Sequence, residues 1–221
     1  MSETALTDAI IYDGIRTPFG RHAGALAPVR PDDLLALVIR TVVEKNDFPK
    51  EAFEDVIAGN TNQAGEDCRN VARFASLLAG MPVEVGGLTV NRLCASGLAA
   101  TLHAANSVKI REGELFVAGG VESMSRAPLV LSKAQGPYDR GQSLADSTLG
   151  ARFTNPSFAA GFGNDTMPET ADNIAADVGI SREDSDRFAA NSQAKYEAAR
   201  ADGFFENEIV AVEVPQGRKK P

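Results

Sequence analysis

One stretch of the chain, Gly87-Leu88-Thr89-Val90-Asn91-Arg92-Leu93-Cys94-Ala95-Ser96-Gly97-Leu98, passes from a predicted strand into a predicted helix. Its first part, residues 87–91, is a short apolar run that predicts the strand. The small residues from Ser96 to about Ile110 predict the helix, and Cys94 lies in the connection between the two. A strand that leads into a helix in this way is the unit from which parallel α/β sheets are built.

The same unit recurs on both sides of this stretch. Pro31-Asp32-Asp33 opens a helix that we predict to run to about Lys45, because proline and acidic residues suit a first helical turn. We therefore predict an α/β fold with a mostly parallel sheet and helical layers over residues 1–122. The further predicted elements of this domain are strands at 9–12, 55–59 and 114–118 and a helix at 69–79.

The pattern changes after Glu122. Residues 123–164 are rich in Gly, Pro, Ser and Asp and show little periodicity, which indicates an inserted loop region. Residues 123–221 are therefore predicted to form a second, partly helical loop domain, with its helices at about 169–201. The predicted elements of this domain are helices at 169–178 and 181–201 and a half-buried strand at 208–214.

The composition argues against several classes of protein. The formal net charge of −8 argues against nucleic acid as a partner, because phosphate binding needs clustered Lys and Arg. No apolar run approaches the roughly 20 residues that span a bilayer, and the first ten residues do not resemble a signal peptide. We therefore expect a soluble, cytoplasmic protein without a membrane partner.

The sequence also lacks the common metal and cofactor motifs. It has two histidines and two cysteines, with no CxxC, HExxH or carboxylate cluster at ligand spacing, so we expect no metal. The hydrolase motif GxSxG and the nucleotide-binding motifs GxxxxGKS/T and GxGxxG are absent as well. The absence of these motifs argues against most of the standard cofactor chemistries.

Cys94 is the candidate nucleophile. A thiol at the first turn of a helix meets unpaired backbone N–H groups and the positive end of the helix dipole, and both favour the thiolate. The same N–H groups can stabilise negative charge on a carbonyl oxygen, as an oxyanion hole requires. The other interpretation is a buried structural cysteine, which is the commonest state of a free cysteine. The position of Cys94 leaves both interpretations open.

The residues around Cys94 resemble a known active-site segment. Val90-Asn91-Arg92-Leu93-Cys94-Ala95-Ser96-Gly97-Leu98 is similar to the segment of thiolases in which the cysteine takes the acyl group. Several motifs in the family's order are far more specific than one short match. The resemblance extends along the chain through Asp13-Gly14-Ile15-Arg16-Thr17-Pro18-Phe19-Gly20, residues 62–67 with 69–73, Gly119-Gly120-Val121-Glu122-Ser123-Met124-Ser125 and Met167-Pro168-Glu169-Thr170-Ala171-Asp172-Asn173.

Within the family, the chain looks most like the β-ketoadipyl-CoA thiolases, on residues 63–67, 123–128 and 167–170. Ala95 stands where glycine is usual, and Cys68 stands where that subfamily usually has asparagine. Neither departure removes the nucleophile. The resemblance implies a thiolase-like N-terminal domain of the βαβαβ type with the loop domain inserted after it.

The resemblance also implies an acyltransferase activity. A thiolase cleaves a 3-oxoacyl-CoA, here 3-oxoadipyl-CoA by the subfamily resemblance, to acetyl-CoA and a shortened acyl-CoA, or runs the condensation backwards. Cys94 would carry the acyl group, and Met167 would line the acyl pocket; a core methionine at the start of a helix is the alternative for Met167. Coenzyme A is then a co-substrate and no further cofactor is expected. The implied partners are acyl-CoA, CoA and further copies of the chain in a homodimer or homotetramer, in fatty acid or aromatic degradation.

The family's catalytic set is incomplete in this sequence. By resemblance, an activating histidine and a second, acid/base cysteine belong to GHP and CxGxG segments of a C-terminal half, and neither segment is present. We interpret the chain as a proteolysed or deliberately truncated piece of a thiolase; a truncated gene product and one of two subunits are the other accounts. We expect little or no turnover by the 221-residue chain, because catalytic groups act as a unit.

Two other functions are compatible with parts of this pattern. A ketoacyl-synthase-like condensing enzyme shares the fold and a nucleophilic cysteine, but the context at Asn91-Arg92-Leu93-Cys94 argues against it. A non-catalytic thiolase-fold module would bind acyl chains or CoA, or would serve in oligomerisation, since a fold does not fix a function. Acyl transfer to Cys94 separates this module from the enzyme.

Overall fold

A parallel sheet of three strands forms the centre of the first part of the chain. The computed structural model describes residues 6–63, 65–148 and 150–215. The strands are β1 (Asp55–Gly59), β2 (Gly86–Val90) and β3 (Phe116–Gly120), in the order β2-β1-β3. Because β1 pairs in parallel with both neighbours, the carboxyl ends of all three strands lie at one edge of the sheet.

Three helices cover this sheet: α1 (Pro31–Lys45), α2 (Val71–Leu78) and α3 (Ser96–Ile110). Proline at the start of α1 and two acids in its first turn favour the helix there, as the sequence predicted. The second helix begins later than predicted because the side chain of Asn70 accepts a hydrogen bond from the Arg73 N–H and caps it.

The side chains of β1 alternate between two apolar clusters. Val56 and Ala58 belong to the cluster formed with α1 and α2, and Ile57 belongs to a second cluster with α3. All three side chains are about 1% exposed. Since successive residues of a strand point to opposite faces, α1 and α2 lie on one face of the sheet and α3 lies on the other.

Gly59 at the end of β1 allows α3 to approach the sheet closely. A Cβ atom at this position would lie 2.4 Å from the carbonyl carbon of Ser96 and 2.6 Å from the nitrogen of Gly97. Both are backbone atoms at the start of α3, so they cannot move away as a flexible side chain would. The first turn of α3 therefore rests directly on the end of the central strand.

The described residues separate into two compact units. The first contains the residues up to Ala127 together with those from Glu208 onward, and the second is Pro128–Asn207. The predicted boundary lies a few residues earlier, between residues 122 and 123. The sequence-based prediction also assigned residues 208–221 to the second domain. The residues from Glu208 belong with the first unit because Arg16 pairs with Glu208, and Arg16 and Ile209 form a parallel β-bridge.

The second unit contains more regular structure than its composition predicted. Glu169 accepts hydrogen bonds from the N–H and the hydroxyl of Thr166, and Ser181 caps the following helix by accepting from the Asp184 N–H. The two predicted helices are confirmed, each within two residues of its predicted start. The elements are an antiparallel pair, β4 (Leu129–Leu131) and β5 (Leu144–Asp146), and the helices α4 (Pro156–Phe162), α5 (Met167–Val178) and α6 (Arg182–Ala201).

Two predicted strands are wrong. Residues 9–12 have no sheet partner among the described residues, and the side chains of Ile10 and Ile11 are 84% and 82% exposed. Within the same described ranges, residues 208–214 contribute only the isolated bridge at Ile209. An apolar or alternating run fits a strand, but a strand also needs an adjacent chain to receive its backbone hydrogen bonds. In the described ranges, no helix is long and apolar enough to cross a membrane.

We expect Gly59→Ala to lower the free energy of unfolding by about 1–3 kcal/mol, as overpacking does. The added methyl group would meet the backbone of α3, and chemical denaturation measures the effect. Gly119→Ala is the matched control, because nothing lies within 4 Å of a Cβ at this position in β3. If Gly59→Ala and Gly119→Ala lowered the free energy of unfolding equally, the contact between Gly59 and α3 would not be tight.

Candidate active site

Cys94 lies in the tight connection between the carboxyl end of β2 and the start of α3. Four residues separate Val90, the last residue of β2, from Ala95, the N-cap of α3. The thiol is exposed. The residue before it, Leu93, has a backbone φ of 50°, in the left-handed region that a non-glycine residue rarely adopts. A sharp turn thus presents the thiol at the start of α3, as the sequence predicted.

Three short-range hydrogen bonds hold this turn. The Leu93 N–H donates to Oδ1 of Asn91 at 3.0 Å. The Ser96 hydroxyl accepts from the Arg92 N–H at 2.8 Å and donates to the Leu93 carbonyl at 2.6 Å. Ser96 is only 4% exposed, and its buried hydroxyl joins the Arg92 N–H to the Leu93 carbonyl on the two sides of the bend.

Asn60 ties the carboxyl ends of the three strands together. Its N–H donates to the Val90 carbonyl at 3.1 Å, and its side-chain Nδ2 donates to the Val121 carbonyl at 2.8 Å. The Val121 N–H in turn donates to the Gly59 carbonyl at 3.0 Å. Asn60 is 2% exposed, and most buried polar groups are hydrogen-bonded in this way. These hydrogen bonds connect the carboxyl ends of the three strands at the edge from which the Cys94 turn extends.

A network of charged residues fixes the loops near the same edge. Glu66 pairs with Arg126, which follows β3, and with Arg30, which precedes α1. Arg30 also binds the buried carboxylate of Asp32 at 2.8 Å. The hydrogen bonds from Arg126 hold the pKa of Glu66 below its ordinary value. Arg126 also donates to the Ala27 carbonyl, so the network joins three segments that are distant in sequence.

Comparison with known protein families identifies the chain. The model of the thiolase N-terminal domain matches residues 9–220. The chain belongs to the thiolase family. The predicted family and the predicted thiolase-like α/β fold are thereby confirmed.

The thiolase chain is similar to β-ketoadipyl-CoA thiolases, as the sequence motifs indicated. It is 54% identical over 214 residues to the β-ketoadipyl-CoA thiolase of Acinetobacter baylyi, covering 96% of this chain and 53% of that protein. It is 52% identical over 208 residues to the 3-oxoadipyl-CoA/3-oxo-5,6-dehydrosuberyl-CoA thiolase of Escherichia coli, covering 94% and 52%. The chain thus spans about half the length of the curated relatives that it matches.

Two solved thiolase-family structures superpose on the chain. The Bacillus anthracis acetyl-CoA acetyltransferase has a TM-score of 0.86 at 30% identity, covering 98% of this chain and 54% of that one. The human mitochondrial 3-ketoacyl-CoA thiolase, solved in complex with CoA, has a TM-score of 0.79 at 32% identity, covering 90% and 50%.

The other residues singled out from the sequence lie on other segments of the chain. Met167 is the first residue of α5 in the second unit and is exposed, and its predicted pocket role stays a prediction. Cys68 lies in the loop before α2, half-buried, with its thiol against the Glu66 carbonyl. His22 and His103 are exposed in a loop and on α3. The described residues contain no group of three His, Cys, Asp or Glu able to hold a metal ion.

The sequence did not predict the residues that support the Cys94 turn. The sheet, and not their spacing in the chain, brings these residues together: Asn60, Thr61, Asn91 and Glu122. Asn60 and Thr61 follow β1, Asn91 follows β2, and Glu122 comes two residues after the end of β3. One available signal was that polar residues directly after parallel strands collect at the same edge of a sheet.

We expect Glu66→Gln to destabilise the protein at neutral pH by about 1 kcal/mol, as the loss of charge-assisted hydrogen bonds does. The pKa of Glu66 is lowered in the folded protein, so its contribution is present above the unfolded-state pKa and is lost as the pH falls through the folded-state pKa. The difference in stability between Glu66→Gln and the parent protein should therefore vanish as the pH is lowered. Thermal unfolding across pH measures both effects.

Glu197→Gln is the matched control for this prediction. Glu197 pairs with Arg200 on α6, but its side chain is 59% exposed, and exposed pairs contribute little. An unchanged melting temperature in Glu66→Gln at neutral pH would contradict the structural role of the network.

Proposed function

We propose that Cys94 is the acyl-accepting nucleophile of a CoA-dependent thiolase that cleaves a 3-oxoacyl-CoA or forms it in the reverse direction. The observation that carries the proposal is the geometry of the turn. An exposed thiol stands at the start of α3, and its backbone is held by hydrogen bonds within a chain of the thiolase family. Coenzyme A serves as a co-substrate, and no other cofactor takes part.

The proposed reaction has two steps. The Cys94 thiolate attacks the 3-keto carbon, the bond between carbons 2 and 3 breaks, and acetyl-CoA leaves as its enolate and takes up a proton. The acyl group is then held as a thioester on Cys94. The thiolate of a second CoA attacks this thioester, forms the shortened acyl-CoA and releases the Cys94 thiolate. Covalent catalysis divides a difficult carbon–carbon cleavage into two easier steps.

The N–H groups at the start of α3 support the first step. They point toward the space in front of the helix, where a carbonyl oxygen of a bound acyl group gains negative charge. Cys94, immediately before the N-cap Ala95, is the thiol next to these groups. Met167 is proposed as a wall of the acyl pocket, on the resemblance of its segment to the thiolase motif. Its soft, apolar side chain suits such a wall.

We propose 3-oxoadipyl-CoA, a dicarboxylic acyl-CoA, as the substrate. The support is the similarity to relatives whose names specify β-ketoadipyl-CoA and 3-oxoadipyl-CoA, at 54% and 52% identity. The degradation of aromatic compounds is the corresponding process. A homodimer or homotetramer is the proposed assembly.

We expect incubation with acetyl-CoA to add one acetyl group to Cys94, because the thiol is free and exposed at the start of α3 and can act as a nucleophile toward a thioester. Intact-mass and peptide mass spectrometry locate the adduct. Cys68→Ser is the matched control and should be acetylated like the parent chain, whereas Cys94→Ser should not. An adduct on Cys68 with Cys94 unmodified would contradict the proposal. Binding of acetyl-CoA without any adduct would favour a non-catalytic binding module.

We also expect succinyl-CoA to acylate Cys94 faster than butyryl-CoA does. Removal of acetyl-CoA from 3-oxoadipyl-CoA leaves a succinyl group, and butyryl differs from it by having a methyl group in place of the carboxylate. Rates of acyl-enzyme formation by mass spectrometry compare the two. A faster reaction with butyryl-CoA would exclude dicarboxylic specificity while leaving the acyl-transfer activity intact.

A further inference from the structure

The backbone of Leu93 requires a specific restraint. Its φ of 50° lies in the left-handed region, which costs a non-glycine residue about 1–2 kcal/mol. The Leu93 side chain is 71% exposed, so packing of this side chain does not supply the restraint. The conformation that presents Cys94 must therefore be held through the backbone hydrogen bonds of the turn.

Asn91 makes two hydrogen bonds that orient it at this turn. Its Oδ1 accepts from the Leu93 N–H at 3.0 Å, and its Nδ2 donates to the Thr61 carbonyl at 3.2 Å. The carboxamide group is planar, so contacts at both ends fix its orientation. Asn91 therefore connects the Leu93 N–H to a segment that follows a different strand, β1.

Glu122 holds the far end of this connection. Its Oε2 accepts from both the N–H and the hydroxyl of Thr61, each at 2.8 Å. Thr61 follows β1, Asn91 follows β2 and Glu122 follows β3, so the three residues join the carboxyl ends of all three strands. The chain of contacts runs from Glu122 through Thr61 and Asn91 to the backbone that carries Cys94.

We propose that Asn91 is a positioning residue that holds Leu93 in its left-handed conformation and so aims Cys94, and that Glu122 acts on the turn through Thr61. The proposal rests on the proposed function only in that Cys94 is taken as the reacting group. Ser96 restrains the same turn from the buried side, but its contact with the backbone at Gly59 makes it a poor probe. Asn91 is exposed, so its replacement leaves the core intact.

The test measures the rates at which iodoacetamide alkylates Cys94 and Cys68 in the same folded chain at neutral pH. Asn91→Ala should slow the alkylation of Cys94 about tenfold, equivalent to about 1.4 kcal/mol, because the backbone at Leu93 relaxes and the thiol leaves its fixed position at the start of α3. Asn91→Ser should be intermediate, since a hydroxyl makes the same turn more weakly. Glu122→Ala should have a smaller effect in the same direction.

A backbone rescue separates positioning from general loosening. Glycine adopts a positive φ without strain, so Leu93→Gly in the Asn91→Ala background should restore most of the Cys94 rate. Cys68 is the internal control, and its rate should stay constant in every variant. An unchanged Cys94 rate in Asn91→Ala, a failure of the glycine rescue, or a parallel change at Cys68 would each overturn the proposal.

These outcomes are distinct from a failure of the proposed function. Acetylation by acetyl-CoA is measured separately on the parent chain, whereas alkylation needs only an accessible thiolate. A parent chain that is alkylated at Cys94 but never acetylated would contradict the thiolase proposal. The comparison among the Asn91 variants would still decide whether Asn91 positions the turn.

Discussion

The contact between the backbone of α3 and Gly59 is the constraint on which the site depends. The first turn of α3 lies so close to the end of β1 that a Cβ at Gly59 would come within 2.4 Å of the Ser96 carbonyl carbon. Since β1 is the central strand and pairs with both neighbours, this contact fixes α3 relative to the whole sheet. The four residues from Asn91 to Cys94 must then connect β2 to α3 over a fixed distance. The left-handed backbone conformation of Leu93 lets the chain make this tight turn.

The elements with strong local patterns were predictable. The strands at 55–59 and 86–90 and the helices α1, α3 and α6 lie within a few residues of their predicted bounds, because apolar runs, caps and acidic first turns act locally. The predicted strands at 9–12 and 208–214 were wrong, since pairing depends on a distant chain segment that the run itself does not specify. The helix α2 starts at Val71, two residues after its predicted start, because the side chain of Asn70 caps it there.

The candidate site was predictable only in part. Cys94 could be located because the strand, the connection and the helix are consecutive in sequence. The groups that hold its turn come from the ends of three strands, and their approach follows from the parallel order β2-β1-β3, which the sequence does not reveal. The same holds for the network of Glu66, Arg126 and Arg30, whose members lie in three different loops.

The turn holds the backbone next to Cys94 but leaves its thiol open to solvent. A thioester on Cys94 would be open to water, because the thiol is exposed and the neighbouring Leu93 and Leu98 side chains are 71% and 64% exposed. Enzymes that form reactive covalent intermediates exclude water from them. The rigid turn and the exclusion of water are therefore separate requirements. The described residues of the first unit meet the first of them, since the hydrogen bonds of Asn91 and Ser96 set the turn without any cover over the thiol.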